Sequence, residues 1–191
     1  VTKRIGYDCD GVLFDFDSAF VQLARQLFDV KCPDVSTTWP REWDYLDPYL
    51  TRRQVRQLWD TIVKSKHFWV NLGIYPWTHQ MVTLLNSLDA EIYFITSRAG
   101  NRVKQQCEDA LKDIGFDNPT VLISPRAEDK IPLAQGLHLT HFVDDKVSTL
   151  DALVQETNAK VGMWVMPWNE NEQPMGTYRL ADLDSLRKFF S

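Results

Sequence analysis

The chain has 191 residues, 44% of them apolar and 25% charged, which suits one globular domain with a core of its own and a small insertion. Its 21 basic and 26 acidic residues give a net charge of −5, which argues against a protein working mainly through attraction to a phosphate backbone, so no extended nucleic-acid surface is expected. The 3 cysteines, Cys9, Cys32 and Cys107, are odd in number and lack zinc or disulfide-framework spacing, so reduced thiols in a cytoplasmic setting are expected.

The first residues, "VTKRIGYD", enter a strand at once, with Arg4 to Tyr7 as its apolar run, so no signal peptide is expected. No stretch approaches the length of a membrane span. The strand runs into "YDCDGVLFDF", where Asp8 and Asp10 fall at its end although strands disfavour Asp. Asp17 is placed to N-cap a helix through Leu27. A loop with Pro40 and Pro48 follows, and then "TRRQ", with capping-box spacing from Thr51 to Gln54 ahead of Val55, Leu58 and Ile62. No good strand is expected from about Asp17 to Tyr75.

Beyond Pro76 the pattern changes. The helical spacing of "MVTLLNSL" leads to a strand at Glu91 to Thr96. "NRVKQQCEDALKDIG" sets Val103, Cys107 and Leu111 on one helix face, with Gly115 as its stop. Strands follow at Thr120 to Ser124, His141 to Val143 and Val161 to Val165, with the helix "VSTLDALVQET" between the last two. This alternation implies an α/β fold, a Rossmann-like three-layer α/β/α arrangement with a parallel central sheet. The expected division is a core of residues 1–16 and 76–191 and a small helical cap, 17–75, inserted after the first strand. The tail "MPWNENEQPMG" receives no assignment.

Ligands of open α/β sheets bind beyond the C-terminal strand ends. Those ends carry Asp8 and Asp10, then Thr96, Ser97 and Arg98, then Asp144 and Asp145, with Lys130 after the third strand. Hard carboxylate oxygens suit Mg²⁺. One carboxylate can attack phosphorus, and another can serve as general acid and base. Thr96 and Lys130 can stabilise charge on a phosphoryl group. Taken singly, each has a structural explanation: an Asp-Gly turn, a helix cap, a surface lysine. Together they form a set that accident rarely assembles. The four histidines show no metal spacing.

"DCDGV", "FITSR", the lysine of "DK" and "FVDD", in this order, resemble the four motifs of the haloacid dehalogenase-like (HAD) superfamily of phosphatases. The resemblance implies Asp8 as nucleophile and metal ligand, and Asp10 as acid/base with its main-chain carbonyl on the metal. It implies Thr96 and Ser97 at the phosphoryl group, Lys130 as the neutralising cation, and Asp144 and Asp145 completing a Mg²⁺ site. A carboxylate at Asp10 favours phosphate-ester chemistry over dehalogenation. The insertion sits where the first cap type occurs. Within it, Phe68, Trp69, Leu72 and Pro76 are similar to the end of the cap in 5′(3′)-deoxyribonucleotidases, although Ile74 and Trp77 depart from that pattern.

Phe14, Phe68 and Trp69 are thus candidates for the substrate wall, with Arg98 and Arg126 as candidate contacts. Phe16 stands near the same cavity, and Trp39 and Trp43 are weaker candidates. The implied activity is a Mg²⁺-dependent phosphatase acting on a nucleoside monophosphate. The alternatives are another small phosphoester, a polynucleotide end, or a catalytically idle binding module. Oligomeric state is left open, a homodimer included.

Overall fold

The computed structural model describes residues 2–35 and 45–191. Trp39 and Trp43 lie outside the described residues. Six parallel strands form the central sheet: β1 (Lys3–Tyr7), β4 (Ala90–Thr96), β5 (Thr120–Ile123), β6 (His141–Asp144), β7 (Lys160–Trp164) and β8 (Thr177–Leu180). Their spatial order is β5-β4-β1-β6-β7-β8. The chain builds outward from β1 in one direction, then returns and builds in the other. The switch point therefore lies between β1 and β6, and there the crevice of such a sheet opens.

Strand alternation divides the core. Tyr7, Phe94 and Val143 belong to one apolar cluster, which also takes residues from α3 (Thr78–Asn86), α4 (Val103–Asp113) and α7 (Leu183–Phe190). Ile95, Phe142 and Met163 face the other cluster, with α5 (Lys130–Gly136) and α6 (Val147–Glu156). Strands covered on both faces read as near-continuous apolar runs, which is why the first five of the sheet are legible in the sequence. Gly6 breaks the run for a packing reason. A Cβ there would come within 2.5 Å of the Phe142 ring and 2.7 Å of Leu139.

The segment after β1 departs from the alternation. A two-residue strand, β2 (Phe14–Asp15), pairs antiparallel with β3 (Gly73–Ile74), so the chain leaves and returns through one narrow neck. Between them lie α1 (Phe16–Phe28) and α2 (Arg52–Lys64). The capping box of α2 forms: Gln54 N–H donates to Thr51 Oγ1 and Thr51 N–H to Gln54 Oε1. The N-cap of α1 is Asp15, whose carboxylate accepts from Ser18 N–H at 3.0 Å. This corrects the assignment to Asp17, which sits inside the first turn, buried, and accepts from Tyr45 Oη–H at 3.1 Å.

The short strands β2 and β3 and the helix α5 escape the sequence reading, and so do two elements near the C-terminus. Strand β8 is a short strand at the sheet edge, where Tyr178 and Arg179 are both exposed, so no apolar alternation marks it. Helix α7 does carry a signal: Leu183, Leu186, Phe189 and Phe190 at helical spacing, after an Asp182–Ser185 capping box.

Candidate active site

Asp8 follows β1 directly, and its N–H still donates to Val143 O at 2.9 Å, so it continues the sheet to the switch point. The chain then turns tightly: Leu13 and Phe14 N–H both donate to Cys9 O at 2.9 Å. Gly11 makes this turn available, with φ 77°. A Cβ on Gly11 would also lie 2.5 Å from Asp145 Oδ2, so the missing side chain leaves room for a carboxylate. The start of α3 braces the turn from outside. Trp77 Nε1–H donates to Val12 O at 2.9 Å and Thr78 Oγ1–H to Leu13 O at 2.7 Å. Trp77, a departure from the deoxyribonucleotidase pattern, thus has a structural use. Cys9 is fully buried and faces the core, as alternation requires.

Carboxylate oxygens of Asp8, Asp144 and Asp145 all lie within 4.8 Å of one another, and all three residues are buried. Lys130 Nζ bridges two of them, 2.8 Å from Asp8 Oδ1 and 2.8 Å from Asp144 Oδ2. Burial raises the Asp8 carboxyl to about 7, against the pull of Lys130 and with added repulsion from Asp144 and Asp10. Asp145 is pushed well above the usual carboxylate range, first by burial and then by Asp144 and Asp8. Burial alone would lower Lys130, but Asp144 and Asp8 outweigh it and hold the ammonium charged.

Three buried carboxylates gather around one buried ammonium here, an excess of two acidic groups, with Lys146 also bordering the cavity. Hard oxygen donors gathered with this imbalance fit a divalent cation of the Mg²⁺ kind. The Asp10 carboxylate stands apart from this cluster, turned toward Arg98.

The unassigned C-terminal tail supports the cluster. Trp168 Nε1–H donates to Asp145 Oδ2 at 2.7 Å, and Asn169 Nδ2–H donates to Asp145 O at 2.7 Å and Trp164 O at 2.9 Å. Asn169 Oδ1 accepts from Met166 N–H in return. The two bonds to Asp145 join residues 23 and 24 positions apart, and local pattern carries no signal for them.

A cavity of about 130 Å³ opens over the cluster, lined on its polar side by Asp8, Asp10, Thr96, Ser97, Arg98, Lys130, Asp144, Asp145 and Lys146. The Thr96 hydroxyl is buried and has no hydrogen-bond partner, although it borders this space. Such an orphan is costly unless a ligand completes it. Ser97 Oγ lies 3.0 Å from Ser124 Oγ. A wider depression of about 410 Å³, bordered by Leu88, Ile92 and Phe116, lies at the opposite ends of the strands, away from the carboxylates.

The remaining candidates separate. Trp69 lines the cavity, and so do Phe16 and Trp59, the last of which the sequence reading misses. Phe16 stacks between Trp59 and Trp69, each at 5.7 Å. Phe14 does not line the cavity: it is buried beneath Arg98. Phe68 packs edge-on against Phe16 and Trp69, behind the lining. Arg126 is 73% exposed and pairs with Asp129 in the turn before Lys130. Arg98 is buried and spends its guanidinium on Asp10, with Nε 2.9 Å from Oδ2 and Nη2 2.8 Å from Oδ1.

No family model matches the chain. A provisionally named nucleotidase of Oceanobacillus iheyensis is 30% identical over 130 residues, which span 65% of this chain and 65% of that protein's length. Among solved structures, a HAD family hydrolase from Deinococcus radiodurans, with bound phosphate and sodium, superposes with a TM-score of 0.60 at 14% identity, covering 97% of this chain and 93% of that one. The provisionally named HAD-hydrolase YfnB of Bacillus subtilis, bound to magnesium, gives 0.62 at 14% identity, covering 99% and 98%. At these identities the likeness is one of fold: the chain has the Rossmann-like α/β fold of HAD-superfamily hydrolases.

Proposed function

We propose that this chain is a HAD-type phosphoric monoester hydrolase, with Asp8 as nucleophile, Asp10 as acid/base and residues 17–75 as a cap. The observation that carries this reading is the Lys130 bridge between Asp8 and Asp144, at a cavity that the orphan Thr96 hydroxyl also borders. The bridge orients one carboxylate toward the cavity and holds a positive charge beside it. Thr96, Ser97 and Lys130 receive the phosphoryl oxygens.

Asp8 attacks phosphorus and the ester P–O bond breaks, while protonated Asp10 gives its proton to the leaving alkoxide. This yields an alcohol and an aspartyl phosphate. Asp10, now a carboxylate, takes a proton from water as the water attacks the same phosphorus. The acyl-phosphate bond breaks, freeing Asp8 and inorganic phosphate. A Mg²⁺ ion held by Asp8, Asp144, Asp145 and the Asp10 main-chain carbonyl would supply charge neutralisation for carboxylates and phosphoryl oxygens.

The substrate we favour is a nucleoside monophosphate, a deoxyribonucleotide in particular. Three points support it: the nucleotidase name of the relative, the match of Phe68, Trp69, Leu72 and Pro76, and the aromatic rim of Phe16, Trp59 and Trp69. Aromatic faces stack on nucleobases at roughly 1–3 kcal/mol per base, and Trp59, 38% exposed, is the exposed ring of this rim. The modest cavity, about 130 Å³, favours a second reading, another compact phosphoester. The three free, buried thiols suit a reducing, cytoplasm-like compartment.

Asp8→Asn is expected to abolish phosphate release while leaving the circular dichroism spectrum unchanged; turnover at the wild-type rate would refute the mechanism. A panel of deoxynucleoside 5′-monophosphates, ribonucleotides and sugar phosphates tests the substrate. Equal kcat/KM for nucleotides and sugar phosphates would remove the nucleotide assignment.

A further inference from the structure

We propose that Arg98 is a positioning residue for Asp10, and that the inserted segment acts on the chemistry through it. The inference rests on the acid/base role of Asp10 given above. Arg98 follows Thr96 and Ser97 at the end of β4, yet its side chain is 0% exposed, whereas that of Asp10 remains 20% exposed. Its Nε–H and Nη2–H donate to the two different oxygens of Asp10, at 2.9 and 2.8 Å. A forked pair of this kind fixes the plane of the carboxyl group as well as its position. The fork leaves the outer edge of the Asp10 carboxyl group, 20% exposed, bordering the cavity.

The guanidinium is itself confined. The Phe14 ring lies 4.8 Å from its carbon and the Trp69 ring 4.9 Å, and Nη1 lies 3.4 Å from Cys107 Sγ. Phe14 belongs to the outgoing side of the neck and Trp69 to the returning segment of the insertion. Trp69 is anchored in turn: Nε1–H donates to Ala99 O at 2.9 Å, and its main-chain N–H donates to Gln106 Oε1 at 3.1 Å. The insertion thus supplies, through Trp69, one wall of the space that confines Arg98. Arg98 borders the cavity as well, with its Nε and Nη2 spent on Asp10.

The test compares two esters that differ in their need for a proton. An alkyl phosphate releases an alkoxide that Asp10 must protonate; a nitrophenyl phosphate releases a stable phenolate. Arg98→Met keeps the stem and removes the fork. It is expected to lower kcat for the alkyl ester about a hundredfold with little change in KM, the scale of general acid catalysis. First-turnover release of nitrophenolate should stay within a few-fold of wild type. In an Asp10→Asn background, Arg98→Met should cost the alkyl ester nothing further.

Equal losses on both esters, or a loss that adds to that of Asp10→Asn, would overturn the inference, since a merely structural role predicts both. If Arg98→Met fails to fold, Arg98→Lys carries the same comparison: a smaller loss confined to the alkyl ester supports the proposal, and an equal loss on both overturns it. A wild-type protein inactive on both esters would overturn the phosphatase reading as well, whereas an active one with equal losses overturns only this inference.

Discussion

Asp17 illustrates how a carboxylate near a site can be structural. It is buried in the first turn of α1 and accepts a hydrogen bond from Tyr45. Burial raises its carboxyl to about 7, against the Tyr45 bond and with help from Asp15 and Asp10. A folded-state value above the unfolded one means that the neutral acid favours folding. That contribution is complete below about pH 4 and is lost as pH rises through 7. Wild-type Tm should therefore fall relative to Asp17→Asn between about pH 4 and 7 in a thermal melt series; parallel curves would contradict this.

Residue identity alone gave the acids, the lysine and Thr96, because their chemistry is carried by type and by position at strand ends. It could not give the Arg98–Asp10 fork, which spans 88 positions. Nor could it separate Phe14 from Phe16, near neighbours that point respectively beneath Arg98 and into the cavity.

At the scale of elements, the first five strands of the sheet were legible because cover on both faces writes a continuous apolar run. The edge strand β8 was not, because half of it faces water. The insertion was legible as helices without strands, but its attachment was hidden in two short strands and one buried glutamine. Gln106 Nε2–H donates to Ser65 O at 3.1 Å and Asn101 O at 2.8 Å, while its Oε1 accepts from Trp69 N–H. One side chain thereby ties the insertion to α4 and to the loop after β4. Gln106→Leu would leave these groups unpaired, at about 1–3 kcal/mol in stability. Chemical denaturation should register that loss, and amide exchange at Trp69 should accelerate; unchanged protection there would show that the tie is not needed.

For the whole molecule, strand order is what brings the chemistry together. Building outward from β1 in both directions puts Asp8 and the Asp144–Asp145 pair on either side of one crevice, although 136 positions separate Asp8 from Asp144 in sequence. The buried acid excess then asks for a cation, and EDTA is expected to eliminate phosphatase activity, with Mg²⁺ restoring it. Full activity in EDTA would remove the cation from the account. The nucleophile is tested most directly by mixing the protein with an activated aryl phosphate and Mg²⁺, quenching with acid within the first turnover, and mapping the modified peptides by mass spectrometry. A phosphoryl group is expected on Asp8 and absent from Asp8→Asn. Turnover with a phosphoryl group on another residue, or with none on Asp8 at any quench time, would contradict this assignment.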